Sequence, residues 1–101
     1  MKKDEGHEWV TIDGDVATVG ITPFAAKEIG SIVFIEFPKI GQVVRKGEEA
    51  AILESTKAAI DTYAPLEGKV IKINESLLKN PSLLTQDPLG KGWLYQIELS
   101  K

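Results

Sequence analysis

The stretch PKIGQVVRKGEEAAILESTKAAIDTYAPLEGKVIKINES, residues Pro38–Ser76, contains two copies of one short pattern. The first copy is PKIGQVVRKGEE and the second, 27 residues later, is PLEGKVIKINES. The matching positions are Pro38/Pro65, Gly41/Gly68, Val43/Val70, Val44/Ile71, Gly47/Asn74 and Glu48/Glu75. Gly and Asn tolerate a positive φ best, so each copy is typical of a turn, a short strand and a second turn. The pattern predicts an internal duplication of two β units related by a pseudo-two-fold axis.

The segment that joins the two copies, residues 50–64, is compatible with two structures. Its Ala, Glu, Leu and Lys residues are good helix formers, and its apolar residues fit a helical stripe. Two observations favour a β-hairpin: the segment joins β units whose strands need partners, and Pro65 disfavours helical backbone at Ala64. In a hairpin, Ile52 and Ile60 point inward and Lys57 stands at the tip. The tip lacks Gly and Asn, so it needs a turn that accepts ordinary residues, such as type I.

Lys57 itself has two interpretations. It stands among small residues in ESTKAAID, with Glu54 three positions before it and Asp61 four positions after it. Most lysines are solvated surface residues, and Lys57 fits that description. A lysine with small neighbours at an exposed tip also leaves room for a modifying enzyme, so acylation of Lys57 is the alternative hypothesis.

The segments before the duplication are β-rich with one helix. EWVTIDGDVATVGIT predicts a hairpin that turns at Asp13-Gly14, with apolar faces formed by Trp9, Val10, Ile12, Val16, Val19 and Ile21. TPFAAKEIG predicts a short helix that begins after Thr22, has Pro23 in its first position and ends at Gly30, with Phe24 and Ile29 as its buried side. SIVFIEF is a nearly continuous apolar run and predicts a buried strand.

After the duplication, Asn74 and Glu75 suit the start of a second short helix, which a loop rich in Pro and Gly follows. WLYQIELS predicts a closing strand with Trp93, Tyr95, Ile97 and Leu99 on one face. We therefore expect residues 1–101 to form one mainly β domain, a flattened barrel or sandwich with one or two short helices.

Composition excludes several classes of site. There is no Cys and only one His, His7, so a disulfide framework, a thiolate metal site and a His cluster are excluded. The net charge of −3 argues against nucleic-acid binding. No apolar run reaches the roughly 18 residues of a membrane span, and the first residues, MKKDEGHEW, do not form a signal peptide. These features predict a soluble cytoplasmic protein.

Several ordered motifs resemble the H protein of the glycine cleavage system. ESTKAAIDTYAPLEGKVIKINESL is similar to that family's lipoyl-attachment region, a Glu-Ser-x-Lys-Ala-x-x-Asp core followed by Ala-Pro, Gly and a strand ending in Asn. HEWV, VGIT, IGSIVFIEFPKIGQVVRKGE and DPLGKGWLYQIEL also match the family's corresponding segments. After VGIT the family usually has Asp-His-Ala, where this chain has Pro23-Phe24-Ala25.

The resemblance implies the lipoyl/biotinyl-carrier fold and lipoic acid joined to Lys57 by an amide. It implies a non-catalytic carrier whose lipoyl arm shuttles an aminomethyl group and reducing equivalents between enzymes. The implied partners are a glycine-decarboxylating enzyme (P protein), a folate-dependent aminomethyltransferase (T protein), dihydrolipoamide dehydrogenase (L protein) and a lipoate ligase or lipoyltransferase, with no nucleic acid and no membrane.

The resemblance also assigns roles to five further residues. Glu54, Ser55, Ala58 and Asp61 are expected to help a lipoylating enzyme recognise the tip; solubilising charge is the alternative for the two carboxylates. Glu8 is expected in a groove that holds the loaded arm, and a surface carboxylate beside Trp9 is its alternative.

Three other functions compete with this one. An H-like carrier could serve lipoyl relay, lipoyl scavenging or another lipoate-dependent pathway. A biotin carrier shares the architecture, but biotin domains place Met on both sides of the lysine, where this chain has Thr56 and Ala58. An enzyme with its own active site is disfavoured because no catalytic constellation is evident.

Overall fold

A computed structural model of the protein describes residues 8–99, which form two antiparallel sheets and three short helices. In chain order the elements are β1 Glu8–Asp13, β2 Val16–Ile21, α1 Pro23–Ile29, β3 Ile32–Glu36, β4 Val43–Val44, β5 Glu49–Ser55, β6 Ala59–Tyr63, β7 Gly68–Ile73, α2 Ser76–Lys79, α3 Leu83–Gln86 and β8 Tyr95–Leu99. One sheet has the order β1-β2-β8-β7-β4 and the other β3-β5-β6. The predicted mainly β architecture is confirmed, with three helices instead of one or two.

The core is formed by the inward faces of both sheets. Leu53, Val70 and Ile97 are each at most 1% exposed, and each lies between more exposed neighbours along its strand. This period-two alternation is what a strand with one covered face produces. Among residues 8–99, no helix is long and apolar enough to cross a membrane.

The first hairpin is present, but its turn lies one residue later than predicted. Asp13 pairs with Val16, so Gly14 and Asp15 form the turn, and Gly14 has a φ of 64°. Ile12 is 57% exposed, so its assignment to an apolar face is wrong. It lies beside the turn, at the end of an edge strand. His7, the first residue of the HEWV motif, lies outside the described residues.

Helix α1 is capped as predicted. The Thr22 hydroxyl oxygen accepts a hydrogen bond from Ala25 N at 3.1 Å, Pro23 occupies the first turn, and Gly30 ends the helix with a φ of 78°. The prediction that Phe24 is buried is wrong, since it is 65% exposed. The side facing the core is instead the narrow stripe of Ala25, Ala26 and Ile29.

Strand β3 is not buried on both faces as predicted. Ile32 and Ile35 are buried, whereas Val33 and Phe34 are 57% and 52% exposed. β3 is an edge strand of the three-stranded sheet, and its pairing register shifts between Ile32 and Phe34. The irregularity accounts for two consecutive side chains facing outward.

The two copies of the duplicated pattern pair with each other through β4 and β7. Val44 faces Gly68, and the hydrogen bonds Gly41 N to Val70 O (2.7 Å) and Val70 N to Gln42 O (2.8 Å) continue the ladder. When each residue is replaced by its match in the other copy, the pair Val44–Gly68 becomes the pair Ile71–Gly41. These two residues are also opposite each other in the register of β4 and β7. The pairing is therefore consistent with a local two-fold relation between the copies.

The match of Gly47 with Asn74 is not a match of conformation. Gly47 has a φ of 89°, but among residues 8–99 no residue other than glycine has a positive φ. Asn74 is buried, and its amide donates hydrogen bonds to Lys91 O and Trp93 O, both at 2.8 Å. It thus fixes the loop that leads into β8.

The region after Asn74 holds two short helices where one was predicted. The Asn74 side chain accepts a hydrogen bond from Ser76 N at 3.2 Å, so it supports the start of α2 although Glu75 is the residue at the cap.

Trp93 precedes β8 and is only half-buried, so the prediction that places it in the strand is wrong. Its ring centroid lies 6.0 Å from Lys72 Nζ.

Tyr95 is the largest fully buried side chain of β8. Among residues 8–99 its hydroxyl finds no hydrogen-bond partner, and burial together with the charge of Glu8 raises its pKa above the usual range. The neutral phenol is therefore the form that this core accepts.

Candidate functional site

Residues 49–63 form a hairpin of β5 and β6 with Lys57 at the tip. Glu54 pairs with Ala59 and Leu53 with Ile60, so the hairpin is confirmed and the helical alternative is wrong. Leu53 is buried and Ile60 is partly buried against the core, whereas Ile52 lies on the opposite, outer face. The inward-facing pair is thus Leu53 and Ile60. The prediction named Ile52 instead of Leu53, an error of one residue on β5.

Ser55 organises the tip. Its hydroxyl oxygen accepts hydrogen bonds from Lys57 N and Ala58 N, each at 3.1 Å, and donates to Ala58 O at 3.2 Å. Ser55 N also donates to Ala58 O at 2.9 Å. These bonds close the turn without a positive φ, in agreement with the predicted use of ordinary residues. Ser55 therefore has a local structural role, whatever else it does.

Lys57, Ala58 and Ala59 are exposed. The turn presents the primary amine of Lys57, and the two residues that follow it carry only methyl side chains. The backbone of the turn is fixed to the segment before β3, because Thr56 N donates a hydrogen bond to Ser31 O at 3.1 Å. An amine on a fixed turn with open surroundings is well suited to being enclosed by a second protein. The residues fit a covalently attached group at Lys57 sterically and chemically.

The outer face of the three-stranded sheet is acidic. Glu54 and Asp61 both lie on it, two strand positions apart across the β5–β6 ladder. Glu36 and Glu49 share this face, and β3, β5 and β6 contain no Lys or Arg. The carboxylates on either side of Lys57 in the sequence thus belong to one larger negative surface.

Glu49 and Asp61 interact directly. The pKa of Glu49 is raised above its usual value by a side-chain hydrogen bond with Asp61, by the negative charge of Asp61, by desolvation and by Glu36. A hydrogen bond between two carboxyl groups needs a shared proton, which favours the protonated form of Glu49.

We expect Asp61→Asn to lower the pKa of Glu49 toward its usual value, because the substitution removes the negative charge that disfavours ionisation. The measurement is the NMR titration of the Glu49 side-chain carboxyl carbon. Glu54→Gln, on the same face, is the matched control and should leave the titration of Glu49 unchanged. An identical Glu49 curve in the wild type and in Asp61→Asn would contradict the interaction.

Glu8 lies at the other end of the hairpin from Lys57. Its Oε2 accepts a hydrogen bond from Tyr63 N at 3.2 Å. Four residue steps along β6 separate Tyr63 from Ala59, about 13 Å at 3.3 Å per residue. An arm attached to Lys57 would have to span at least this distance to reach the Glu8 carboxylate.

A cleft of about 420 Å³ lies between α1 and the α3 region, and it was not predicted from the sequence. It is lined by Pro23, Phe24, Ala26, Lys27, Thr85 and Pro88. Trp9 Nε1 donates to Pro88 O at 2.9 Å and so holds one wall. Glu8 does not line this cleft, because adjacent strand residues point to opposite faces. The only sequence feature that drew attention to this region was Pro23-Phe24, where the chain departs from the motif described above.

Comparisons with known proteins identify the family. The profile of the family described as glycine cleavage H-protein matches residues 1–101. The glycine cleavage system H protein of Thermotoga maritima is 50% identical over 101 residues, covering 99% of this chain and 82% of that protein. That of Carboxydothermus hydrogenoformans is 45% identical over 100 residues, covering 99% and 77%. The crystal structure of a glycine cleavage system H protein from Mycobacterium marinum superposes with a TM-score of 0.87 at 36% identity, covering 93% of this chain and 79% of that one.

Proposed function

The chain belongs to the glycine cleavage H-protein family, and on that premise we propose that residues 1–101 form one lipoyl-carrier domain with lipoic acid attached to Lys57. Family membership supports a lipoyl-carrier role in glycine cleavage. The observation that carries the assignment to Lys57 is its position, exposed at the tip of the β5–β6 hairpin within the matching ESTKA motif. When attached, lipoate would supply a dithiolane that can accept an aminomethyl group together with two electrons; passing that group on would leave a dithiol, which the lipoamide dehydrogenase would oxidise back to the dithiolane.

The contribution of the chain is to hold and present this group. Ser55 and the Thr56–Ser31 hydrogen bond fix the turn, so the lysine begins from a defined point. A tethered group is also present at high effective concentration at each partner that binds the body. The chain is the non-catalytic component, and the glycine-decarboxylating enzyme, the aminomethyltransferase and the lipoamide dehydrogenase perform the chemistry.

The roles of the remaining site residues are proposed from the family resemblance, and the tip geometry supports those of Glu54, Ser55, Ala58 and Asp61. Glu54, Ala58 and Asp61 are exposed around Lys57, where a lipoate ligase or lipoyltransferase would contact them. Ser55 acts there by shaping the turn. Glu8, at the far end of β6, is proposed to hold the amine of the loaded arm, and its Oε2 accepts a hydrogen bond from Tyr63 N.

We expect the lipoylated chain to support exchange of labelled bicarbonate into glycine with the glycine-decarboxylating enzyme of the same organism. Glu8→Ala should slow the later transfer to folate more than this exchange, because the proposed contact forms only with the loaded arm. The background rate of exchange is measured with the Lys57→Arg variant, which lacks the proposed attachment residue. No exchange above that background, with complete lipoylation confirmed by mass, would contradict the role in glycine cleavage.

One observation favours a second candidate, an H-like carrier that serves another lipoate-dependent pathway. Phe24 is 65% exposed at the α1 cleft, where the family usually has His. A different side chain at this surface would suit a different partner. Full lipoylation without glycine exchange is the result that selects this candidate.

A further inference from the structure

Gly30 lies directly across from Lys57. In the β3–β5 ladder Ile32 faces Ser55, and Thr56 N donates to Ser31 O at 3.1 Å, so the same register places Gly30 opposite Lys57. A Cβ on Gly30 would lie 3.5 Å from Lys57 Cε and 3.8 Å from both Cδ and Nζ. The lysine stem therefore passes over the bare backbone of Gly30.

The contact is set by the backbone and not by a lysine rotamer alone. The Ser31–Thr56 hydrogen bond joins the residues next to Gly30 and Lys57. On its other side, Gly30 follows Ile29, which is 2% exposed and anchors the end of α1 in the core. The backbones of Gly30 and Lys57 are thus held relative to each other.

The residue at position 30 is constrained for two separable reasons. Gly30 has φ 78° and ψ −147°, a region that other residues occupy only with strain. Cross-strand neighbours also normally pack side chain against side chain, and glycine leaves that place empty. The first reason concerns the end of α1, and the second concerns Lys57.

We propose that Gly30 is a positioning residue for the attachment lysine: its bare backbone forms the surface along which the Lys57 stem lies, and this sets the direction in which the amine leaves the tip. The proposal rests on the proposed function of Lys57 as the lipoylated residue. A side chain larger than a methyl group at position 30 would occupy this surface and displace the stem, so a ligase would meet the amine at the wrong place.

The test compares Gly30→Ala with Gly30→Leu. Both substitutions impose the same backbone strain, but only leucine fills the place of the lysine stem, because an alanine methyl would make an ordinary 3.5 Å contact. Gly47→Ala and Gly47→Leu are the matched controls, since Gly47 also has a positive φ (89°) and nothing lies within 4 Å of a Cβ placed there. The rate of lipoylation by a lipoate ligase with lipoate and ATP is followed by intact mass.

We expect Gly30→Leu to be lipoylated at least about tenfold more slowly than Gly30→Ala, since displacing a reacting group by about 1 Å can cost on the order of 100-fold. The two Gly47 variants should differ from each other by less than about twofold, because both side chains enter open space. Thermal unfolding of all four variants checks that each Ala/Leu pair is matched in stability. Equal rates for Gly30→Leu and Gly30→Ala would overturn the proposal.

A second readout uses the unmodified wild-type chain and needs no ligase. The proposal requires a nuclear Overhauser effect between the Gly30 α-protons and the Lys57 ε-protons, retained in both Gly47 variants. Absence of this effect in the folded wild type overturns the proposal even if both Gly30 variants fail to fold. If the effect is present but Lys57 is never lipoylated, the proposed function fails while the contact stands, so the two failures are distinguishable.

Discussion

Lys57→Arg should receive no lipoyl group at all. Attachment needs a primary amine that forms an amide, and the guanidinium of Arg is not an acyl acceptor under these conditions because it remains protonated. Arg keeps the positive charge and nearly the same length, so recognition of the tip is preserved while the chemistry is removed. The measurement is the intact mass after expression with lipoate and a ligase, followed by peptide mapping of the wild type.

The matched control is Lys69→Arg, because Lys69 is also exposed but lies on β7 in the other sheet. It should be modified as completely as the wild type. Neither change should alter the free energy of unfolding by more than about 0.5 kcal/mol, since both side chains are on the surface. A lipoyl group on any other lysine, or continued labelling of Lys57→Arg, would show that the attachment site has been assigned wrongly.

Local capping chemistry made α1 predictable, but not the side on which it packs. Thr22, Pro23 and Gly30 act within the helix and its ends, so their residue types are sufficient. Which residues face the core depends on where the helix lies against the sheets. The structure selects a stripe containing Ala25 and leaves the larger Phe24 in solvent.

The β5–β6 hairpin shows a tertiary preference overriding a local one. Its composition favours a helix, but Leu53 and Ile60 become an inward cross-strand pair only when both strands of the hairpin form. The β3 edge supplies the neighbouring strand and the Ser31–Thr56 hydrogen bond. A short window of sequence does not contain partners this far apart. The choice of a hairpin over a helix therefore depended on the duplicated pattern on either side of the segment.

Some features of the candidate site were predictable from the sequence, and others depend on how the strands pair. Lys57 follows from the motif, and the structure adds only its surroundings. The role of Ser55 in the turn and the proximity of Glu49 to Asp61 depend on strand register, which one-residue shifts change completely. Gly30 stands 27 residues before Lys57, and its importance appears only when β3 and β5 are paired.

The largest effect on stability is expected for Gly68→Ala, which should lower the free energy of unfolding by about 3 kcal/mol, the upper end of the usual cost of overpacking. Gly68 is buried where β7 is flanked by β4 and β8. A Cβ there would overlap Ile97 Cγ2 and the carbonyl oxygen of Glu98. The carbonyl cannot yield without separating β7 from β8, so the cost falls on the sheet itself. Urea unfolding measures the loss, and amide hydrogen exchange at Glu98, which pairs with Lys69 of β7, shows whether the strands separate.

Gly41→Ala is the control because Gly41 occupies the same position in the other copy of the duplicated pattern. Nothing lies within 4 Å of a Cβ on Gly41, and its φ of 94° makes alanine unfavourable for a conformational reason alone. That strain costs about 1–2 kcal/mol, without loss of exchange protection in β8. The two glycines are thus retained in matching positions for different physical reasons, close packing at Gly68 and a positive φ at Gly41. Equal losses for both variants, or full protection of the Glu98 amide in Gly68→Ala, would contradict this division.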